Sequence, residues 1–412
     1  MTNNKDKKVL NVPNLRFPEF TGEWKKCIIG ELTTKVGSGV TPRGGEAVYK
    51  SEGHPFVRSQ NIGLGHLILD DIAYIDEDTH QRQKNTELQL DDVLLNITGA
   101  SIGRSALVNQ QIVGGNVNQH VCIIRANKKL IPSFLCNFLL SQYGQKQIES
   151  FQAGGNRQGL NFEQIKSIKI GLPSVEEQKK IADLLLLIEQ RITTQNKIIE
   201  KYESLIQAIC DTLIESGQPK VELSFNDFGE PYSGLSGKSA EDFGKGWPYI
   251  TYMNVYQNQI IDITDVGLVK INETEQQSVV RYGDILFTLS SETPDEVGMG
   301  AVYLGDIYPL YLNSFCFGVH ITDESKIYPP FLAYYISTKS FRKAVFPLAQ
   351  GSTRFNLQKS DFMKKKFLFP TVEKQNKIYS VLKAYSDKLS IEKNIANLLC
   401  EQKSYLLRQL FI

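Results

Sequence analysis

The chain has 412 residues with a formal net charge of +1, 41% hydrophobic residues and 22% charged residues. This composition is typical of a soluble globular protein, and the length suggests two or three domains of about 150 residues each. The near-neutral charge excludes a global field that attracts nucleic acid, so a DNA-binding surface would have to be a local basic patch or rely on charges supplied by partners.

Cysteines and apolar runs restrict the class of protein further. The six cysteines lie far apart and form no CxxC pair, which argues against zinc ribbons and for free thiols in a reducing compartment. The N-terminal residues are polar and Lys-rich, and the longest apolar run, residues 184–188, is far shorter than the roughly 20 residues that span a bilayer. We therefore expect a cytoplasmic protein that contacts no membrane.

After an N-terminal segment, residues 1–27, the chain is a tandem repeat. "LPSVEEQKKIADLLLLIEQRI" begins at Leu172, and "FPTVEKQNKIYSVLKAYSDKL" begins 197 residues later at Phe369 (369 − 172). Earlier stretches repeat as well, because "GHPFVRSQNIGLGHLILD" is echoed by "GWPYITYMNVYQNQIID" and "DDVLLNITG" by "YGDILFTLS". Residues near 28–217 and 223–412 are therefore interpreted as two copies of one design.

Each copy is predicted to be an α+β domain that ends in one long helix. Stretches such as "DVLLNITG" and "HVCIIRA" are rich in β-branched residues and predict strands of an irregular sheet. "PSFLCNFLLSQYGQKQIESF" and "PPFLAYYISTKSFRKAVF" predict short helices with proline near the start. The predicted boundaries are a first globular domain at 28–173, a central long helix at 174–216, a second globular domain at 217–369 and a C-terminal long helix at 370–412.

Both long helices carry a sustained heptad repeat with one polar break at the same register, Gln195 and Glu392. A parallel pair would force the second domain to travel back along the helices, so we predict two pseudo-symmetric domains with an antiparallel coiled coil and Gln195 beside Glu392. Two separate amphipathic helices, each packed on its own domain, are the alternative. The predicted helix-pair residues are Gln178, Ile181, Ile188, Gln195, Ile199, Gln375, Ile378, Tyr385, Glu392 and Leu399.

Catalytic and metal-binding motifs match the sequence poorly. "GLSGKS" resembles a phosphate-binding loop, but Tyr232 stands where that motif needs its first glycine. No GxGxxG follows a predicted strand, and the five histidines lack the spacing of metal ligands. Pro294-Asp295 with a distant "ESK" is a weak match to a nuclease metal site, so a stand-alone nuclease that uses Asp295 is the least favoured alternative. We predict no catalytic residue and no metal site.

Polar loops rich in Gly, Asn, Gln and Arg lie in each copy, among them "GSGVTPRGG", "NITGASIGR", "NVNQH" and "GGNRQG". Arginine reads guanine edges, Asn and Gln read adenine edges, and Lys, Ser and Thr bind phosphates. Such loops often only turn the chain. The predicted DNA-binding residues are Lys35, Ser38, Thr41, Arg43, Arg58, Asn61, Thr98, Ser101, Arg104, Asn118, Arg157, Gln158, Lys238, Asn254, Ser290 and Arg354.

Several of these stretches together resemble one known family. "VPNLRFPEFTGEW" is similar to the start of specificity subunits of type I restriction-modification enzymes. "LPSVEEQKKI" and "FPTVEKQNKI" match the family's helix start, and Asn161-Phe162 and Asn356-Leu357 match the loop before it. The second copy departs from the pattern, because its loop "AQGSTRFN" has one glycine and Phe369 replaces Leu172. This departure predicts a differently held loop in the second domain.

The resemblance implies a non-catalytic subunit whose two target-recognition domains read the halves of a gapped, double-stranded DNA target. It also implies that two methyltransferase subunits dock on the helix pair and that restriction (motor-nuclease) subunits join them. S-adenosylmethionine, ATP and Mg would then belong to the partner subunits, and this chain would bind no cofactor. A two-armed scaffold that binds proteins or other ligands without a DNA function is the alternative from another class.

Overall fold

The structure, a computed structural model, describes residues 10–152, 159–215 and 219–412. It divides into two compact units. Unit 1 holds the described residues up to Asn196 together with Asn394–Ile412, and unit 2 holds Lys197–Lys393. Each unit includes a part of both long helices, whereas the predicted boundaries treat each long helix as a separate segment. The predicted boundaries therefore stay predictions.

Unit 1 combines small sheets with short helices. Its strands are β1 (Lys25–Ile28), β2 (Thr33–Ser38), β3 (His54–Val57), β4 (Ala73–Ile75), β5 (Val93–Asn96), β6 (Ser105–Leu107), β7 (Asn116–Val117), β8 (Val121–Ala126) and β9 (Lys169–Leu172). Its helices are α1 (Glu77–Arg82), α2 (Pro132–Leu140), α3 (Gln142–Gln152), α4 (Phe162–Ser167) and the start of α5 (Val175–Glu215).

The sheets of unit 1 follow from the burial of their strands. The β-branched and aliphatic strands β5 and β8 pair antiparallel at the centre of a sheet ordered β2-β8-β5-β6, and every residue of β5 is buried. The other sheets are ordered β4-β3-β7 and β1-β9. Because β5 and β8 are apolar on both faces, one core forms against α2 and α4, and a second core forms on the opposite face around Leu94 and Ile123.

Unit 2 repeats this architecture. Its strands are β10 (Lys220–Ser224), β11 (Gly229–Ser233), β12 (Phe243–Ile250), β13 (Val266–Val269), β14 (Ile285–Thr288), β15 (Ser290–Ser291), β16 (Gly300–Val302), β17 (Tyr311–Leu312), β18 (Cys316–Ile321), β19 (Ala349–Gln350), β20 (Phe355–Leu357) and β21 (Lys366–Pro370). Its helices are α6 (Tyr252–Gln257), α7 (Pro329–Tyr335), α8 (Lys339–Val345), α9 (Lys359–Lys364) and the start of α10 (Val372–Gln409).

The sheets confirm the predicted α+β repeat. The orders β11-β18-β14-β16, β13-β12-β17 and β10-β21 in unit 2 match the orders β2-β8-β5-β6, β4-β3-β7 and β1-β9 in unit 1. The registers agree as well, since Leu172 pairs with Lys25 and its repeat counterpart Phe369 pairs with Val221. Unit 2 adds a sheet ordered β15-β20-β19.

A buried carboxylate recurs at the start of the central strand, but its partner changes between the copies. In unit 1, Asp92 is 1% exposed and accepts two hydrogen bonds of 2.7 Å from the Arg125 guanidinium. In unit 2, Asp284 accepts from the Tyr232 hydroxyl at 2.8 Å and contacts His320 Nδ1 at 2.9 Å. Burial, followed by the charge of Asp284, raises the pKa of Tyr232 well above its usual value. The copies therefore keep the fold while exchanging side-chain chemistry.

Each long helix is fastened to its own unit by one buried glutamine. Gln178 accepts from the Ile131 amide at 2.8 Å and donates to the carbonyls of Lys129 and Pro173. Gln375 makes the equivalent hydrogen bonds in unit 2, accepting from the Tyr328 amide at 2.7 Å. Both side chains are 0% exposed, so their repetition has a structural cause.

The long helices pair antiparallel, as the heptad repeat predicts. In unit 1, Ile181 and Leu185 at the start of α5 share a core with Leu406 and Leu410 at the end of α10. In unit 2, Cys210 and Ile214 near the end of α5 share a core with residues 378 and 382 at the start of α10. In both units, the start of one helix therefore packs against the end of the other.

The predicted contact between Gln195 and Glu392 would join unit 1 to unit 2 and stays a prediction. Each residue is 8% exposed, and Glu392 forms an ion pair of 2.7 Å with Lys388 inside unit 2. Among the described residues, every helix is too short or too polar to serve as a membrane span.

Candidate nucleic-acid interface

Three loop segments meet in unit 1 and carry several of the predicted DNA-binding residues. We define the loop junction of unit 1 as residues 97–98, 118–120 and 159–160. The Ile97 amide donates to the His120 carbonyl at 3.0 Å, and the Leu160 amide donates to the Ile97 carbonyl at 2.9 Å. Thr98 forms a β-bridge with Gly159. Main-chain hydrogen bonds therefore hold together segments that lie far apart in sequence.

Polar side chains form a continuous hydrogen-bonded chain along this junction. Gln119 Oε1 accepts from the Thr41 amide at 3.0 Å and from the Thr41 hydroxyl. Gln119 Nε2 lies 3.0 Å from His120 Nε2, and His120 Nδ1 lies 2.6 Å from Thr98 Oγ1. Since the amide donates to Nε2, the proton of a neutral imidazole is on Nδ1, which donates to the threonine hydroxyl. The junction presents pre-oriented donors and acceptors at a half-buried edge.

Unit 2 builds the same junction from its own sequence. We define the loop junction of unit 2 as residues 289–290, 313–315 and 356–357. The Leu289 amide donates to the Phe315 carbonyl at 2.9 Å, and the Leu357 amide donates to the Leu289 carbonyl at 2.8 Å. Ser290 pairs with Asn356 across β15 and β20. The backbone arrangement is that of unit 1, so the repeat extends to the loops.

One asparagine turn sets the exposed tip of each junction. In unit 1, Asn118 Oδ1 accepts from the His120 amide at 3.0 Å, and in unit 2, Asn313 Oδ1 accepts from the Phe315 amide at 2.9 Å. An asparagine that bonds the backbone two residues ahead forms a tight, rigid turn. Asn118 is 7% exposed, so the structure assigns its side chain to the turn.

The single glycine of the second loop has a definite function. Gly351 lies between β19 and β20 with φ of +134°, and a Cβ added there would stand 2.1 Å from the Arg354 carbonyl oxygen. A side chain would be strained there and would collide with the backbone. In unit 1 the corresponding residues 153–158, which include the predicted Arg157 and Gln158, lie outside the described residues. The predicted difference between the two loops stays a prediction.

The structure leaves some predicted DNA-binding side chains accessible. Exposed arginines and half-buried hydroxyls are available near the loops, namely Arg43, Arg104 and Arg354, and Ser38, Thr41, Thr98 and Ser101. Ser101 accepts a hydrogen bond from Asn96 at 3.0 Å, which orients its hydroxyl. Ser290 lies at the junction of unit 2 but is only 8% exposed.

Two repeated asparagines among the predicted DNA-binding residues are buried in this structure. The Asn61 amide donates to the Ile68 carbonyl at 2.9 Å and to the Asp71 carboxylate at 3.0 Å. Its counterpart Asn254 donates to the carbonyls of Asp262 and Asp265. Both residues are 0% exposed, and both side-chain donors of each are used inside the domain. In this conformation neither amide is available to a base.

Three predicted phosphate-binding or base-reading cations are engaged within the fold. Lys238 pairs with Glu275 and donates to the Lys270 carbonyl at 2.6 Å, and its side chain is 4% exposed. Arg58 donates to the Asp71 carbonyl at 2.6 Å. Lys35 donates to the Asn85 carbonyl, and burial, followed by the charge of Arg125, lowers its pKa. A DNA contact by these groups would have to compete with these bonds.

Asp295, the residue of the nuclease alternative, lies in a loop that Arg342 holds by hydrogen bonds. The Arg342 guanidinium donates to the carbonyls of Asp295, Val297 and Gly298 at 2.6–2.8 Å. These hydrogen bonds from Arg342 to main-chain carbonyls fix the shape of the loop before β16. Within the described part of the chain, no group of three or more His, Cys, Asp or Glu residues is arranged to hold a metal ion.

The predicted helix-pair residues fall into two environments. Ile181, Ile188 and Ile378 lie in the unit cores with both glutamines of the helix starts, whereas Ile199, Tyr385 and Leu399 are half-buried. In unit 1, Leu187 and Ile395, which are 58% and 38% exposed, line a groove of about 540 Å³ between the two helices. An exposed apolar groove on a helix pair is a surface that suits a protein partner.

A charged cluster attaches a loop of unit 1 to both long helices. Glu189 on α5 pairs with Lys403 on α10, and His66 Nδ1 lies 3.6 Å from the same carboxylate. Lys403 also donates to the Leu64 carbonyl at 3.1 Å. The His66 side chain, helped by Lys403, lowers the pKa of Glu189 to about 2 against the opposing effect of burial. At the counterpart position in unit 2, Ser386 accepts from the Tyr334 hydroxyl at 2.9 Å.

We expect Glu189→Gln to lower the free energy of unfolding of the full chain by about 1–2 kcal/mol at pH 7, less than the whole pKa shift would give because water still reaches the carboxylate. A depressed carboxylate pKa stabilises the fold above the unfolded pKa of 4.5, and this stabilisation is lost as the pH falls towards 2. Urea unfolding at several pH values measures the difference. Glu200→Gln, an exposed change on the same helix, is the control, and a constant difference at all pH values would contradict the account.

Comparisons with known proteins agree with this architecture. The family described as the type I restriction modification DNA specificity domain matches residues 21–204 and 233–400, so its pattern occurs twice and covers most of the chain. The EcoKI type I restriction enzyme specificity subunit of Escherichia coli is 21% identical over 415 aligned positions, which cover 91% of this chain and 85% of that protein.

Two solved structures share the fold over nearly their whole length. The S subunit of the type I restriction-modification system from M. genitalium aligns with a TM-score of 0.55 at 18% identity, covering 97% of this chain and 99% of that one. A chain from a structure of type I R-M complex assembly aligns with a TM-score of 0.57 at 16% identity, covering 93% and 96%. The twofold match of the family pattern carries the assignment: this chain belongs to the family of type I restriction-modification DNA specificity proteins.

Proposed function

We propose that the chain is the non-catalytic DNA-recognition subunit of a type I restriction-modification complex and that it reads a gapped, double-stranded target with two separate loop junctions. The observation that carries this proposal is the duplicated junction. The same three segments meet in both units through the same main-chain hydrogen bonds, while the side chains at the tip differ. A duplicated scaffold with different side chains suits the reading of two different half-sites.

The long helices are proposed to set the gap and to dock the partners. Helix α5 has 41 residues, which corresponds to about 62 Å, or about 18 base pairs of DNA. Two methyltransferase subunits would dock on the helix pair, where the exposed apolar groove supports a protein contact, and restriction (motor-nuclease) subunits would complete the assembly. S-adenosylmethionine, ATP and Mg are proposed to bind those partners and not this chain.

The near-neutral net charge is consistent with this division of labour. Phosphate contacts dominate the affinity of DNA-binding proteins, and a chain of charge +1 supplies few of them in excess. The partners are therefore proposed to contribute much of the charge that neutralises the phosphates. The isolated chain should bind DNA weakly and lose that binding at moderate salt.

Reconstitution with the cognate methyltransferase subunits tests the proposal. After incubation with genomic DNA and S-adenosylmethionine, sequencing of the methylated DNA should give a two-part adenine-containing motif with an unspecific gap. The methyltransferase subunits without this chain are the control and should give no such motif. Methylation at an ungapped motif, or none above the control, would contradict the proposal. The second outcome would favour a scaffold without a DNA function.

A further inference from the structure

The tips of the two loop junctions are equivalent positions of the repeat, but the side chain is polar in unit 1 and apolar in unit 2. His120 of unit 1 is part of the hydrogen-bonded chain through Thr98 and Gln119. Phe315 of unit 2 stands at the matching place, with its amide on the asparagine turn and its carbonyl accepting from Leu289 at 2.9 Å. Its side chain is 57% exposed. The backbone is equally fixed in both, so only the side chain decides what each tip can bind.

The exposure of Phe315 is unusual for its surroundings. The strand that follows it, β18, is buried from Cys316 to Val319, so nearby apolar groups have a core to enter. The asparagine turn instead directs position 315 away from that core. Ser314 and Asn356 of the same junction are exposed polar residues, and the exposed Arg354 lies two residues before Asn356. An aromatic ring held in water among polar groups gains free energy when a ligand offers it an apolar contact.

The chemistry of DNA limits what this contact can be. In the major groove, the base edges present hydrogen-bond donors and acceptors, and the 5-methyl group of thymine is their apolar feature. A phenylalanine ring cannot pair with the donors or acceptors, but it can bury the methyl group. Arg354 lies on the chain just before β20, whose Asn356 pairs with Ser290 of the same junction. The exposed guanidinium of Arg354 could bind a phosphate or a guanine of the same half-site.

We propose that Phe315 is a specificity-determining residue that selects thymine at one position of the half-site read by unit 2, through contact with the thymine 5-methyl group. This inference rests on the proposed function. Burial of one methyl group changes binding by about fourfold. His120, at the same place in unit 1, has both ring nitrogens engaged by Thr98 and Gln119, so unit 1 presents no comparable apolar ring at the matching position.

Deoxyuridine substitution tests the inference, because it removes the 5-methyl group and leaves base pairing unchanged. The complex with methyltransferase subunits is bound to duplexes in which each thymine of the half-site is replaced in turn. For the wild-type chain, one replacement should weaken binding about fourfold. For Phe315→Ala, the thymine and deoxyuridine duplexes should bind equally. Phe346→Ala, which removes another exposed aromatic ring of unit 2, is the control and should keep the fourfold preference.

The outcomes separate this inference from the proposed function. If the wild-type complex selects a gapped motif but no deoxyuridine replacement matters, or if Phe315→Ala keeps the preference, the thymine contact is wrong and the proposed function stands. If the ring instead inserts between base pairs, Phe315→Ala should weaken binding to thymine and deoxyuridine duplexes alike and leave the preference unchanged. That result would also overturn the thymine contact. If the wild-type complex selects no sequence, the proposed function fails first.

Discussion

Truncation of Leu382 to alanine is expected to destabilise unit 2 by about 2–5 kcal/mol. Leu382 is 0% exposed and lies on α10 in the core that also holds Ile378 of the same helix and Cys210 and Ile214 of α5. Removing its branched end leaves a cavity in this core, which rigid packing closes only in part. In urea unfolding of the full chain followed by circular dichroism, the transition of the variant should begin at clearly lower denaturant.

The neighbouring residue provides a matched control for this prediction. Val381 is also on α10 but is 43% exposed, so Val381→Ala should change stability by no more than about 0.5 kcal/mol. The two variants share their position along the helix and differ in the face they occupy. Equal effects of the two truncations would contradict the packing of α10 on the core of unit 2, because Leu382 lies in that core whereas Val381 is exposed.

The long helices could be predicted from sequence because their periodicity directly reports their packing. Heptad spacing places apolar residues on one face, and the same register of Gln195 and Glu392 in both copies indicated two equivalent helices. The order of domains along the chain then favoured an antiparallel pair. The cores of both units agree, since Leu406 and Leu410 meet the start of α5 in unit 1.

The candidate site was harder to predict, because the residues that recur in both copies are those that maintain the shared fold. Asn61 and Asn254 recur since both hold a turn from inside, and Gln178 and Gln375 recur since both fasten a helix. Residues that read different half-sites should instead differ between the copies. The informative signal is therefore a position that is equivalent in the two copies but carries a chemically different side chain in each.

His120 and Phe315 occupy such a position, and sequence reasoning placed neither among the predicted DNA-binding residues. The stretches "NQH" and "NSF" begin with the same turn-forming asparagine and end in different side chains. Their importance becomes clear only when residues 97–98 and 159–160 are found beside them, and such long-range pairing leaves no local pattern. Asn118 is among the predicted DNA-binding residues, and in the structure its side-chain oxygen accepts a hydrogen bond from the main-chain amide of His120.

The most direct test is to exchange the globular part of unit 1 and to sequence the methylated DNA. Residues 28–165 are replaced by the equivalent segment of another family member, and the chimera is reconstituted with the methyltransferase subunits beside the wild-type chain. Because each unit has its own core and its own loop junction, the chimera should methylate a motif in which one half is new while the other half and the gap are unchanged. A motif altered in both halves, or identical to that of the wild-type chain, would contradict the claim that the two units read DNA independently.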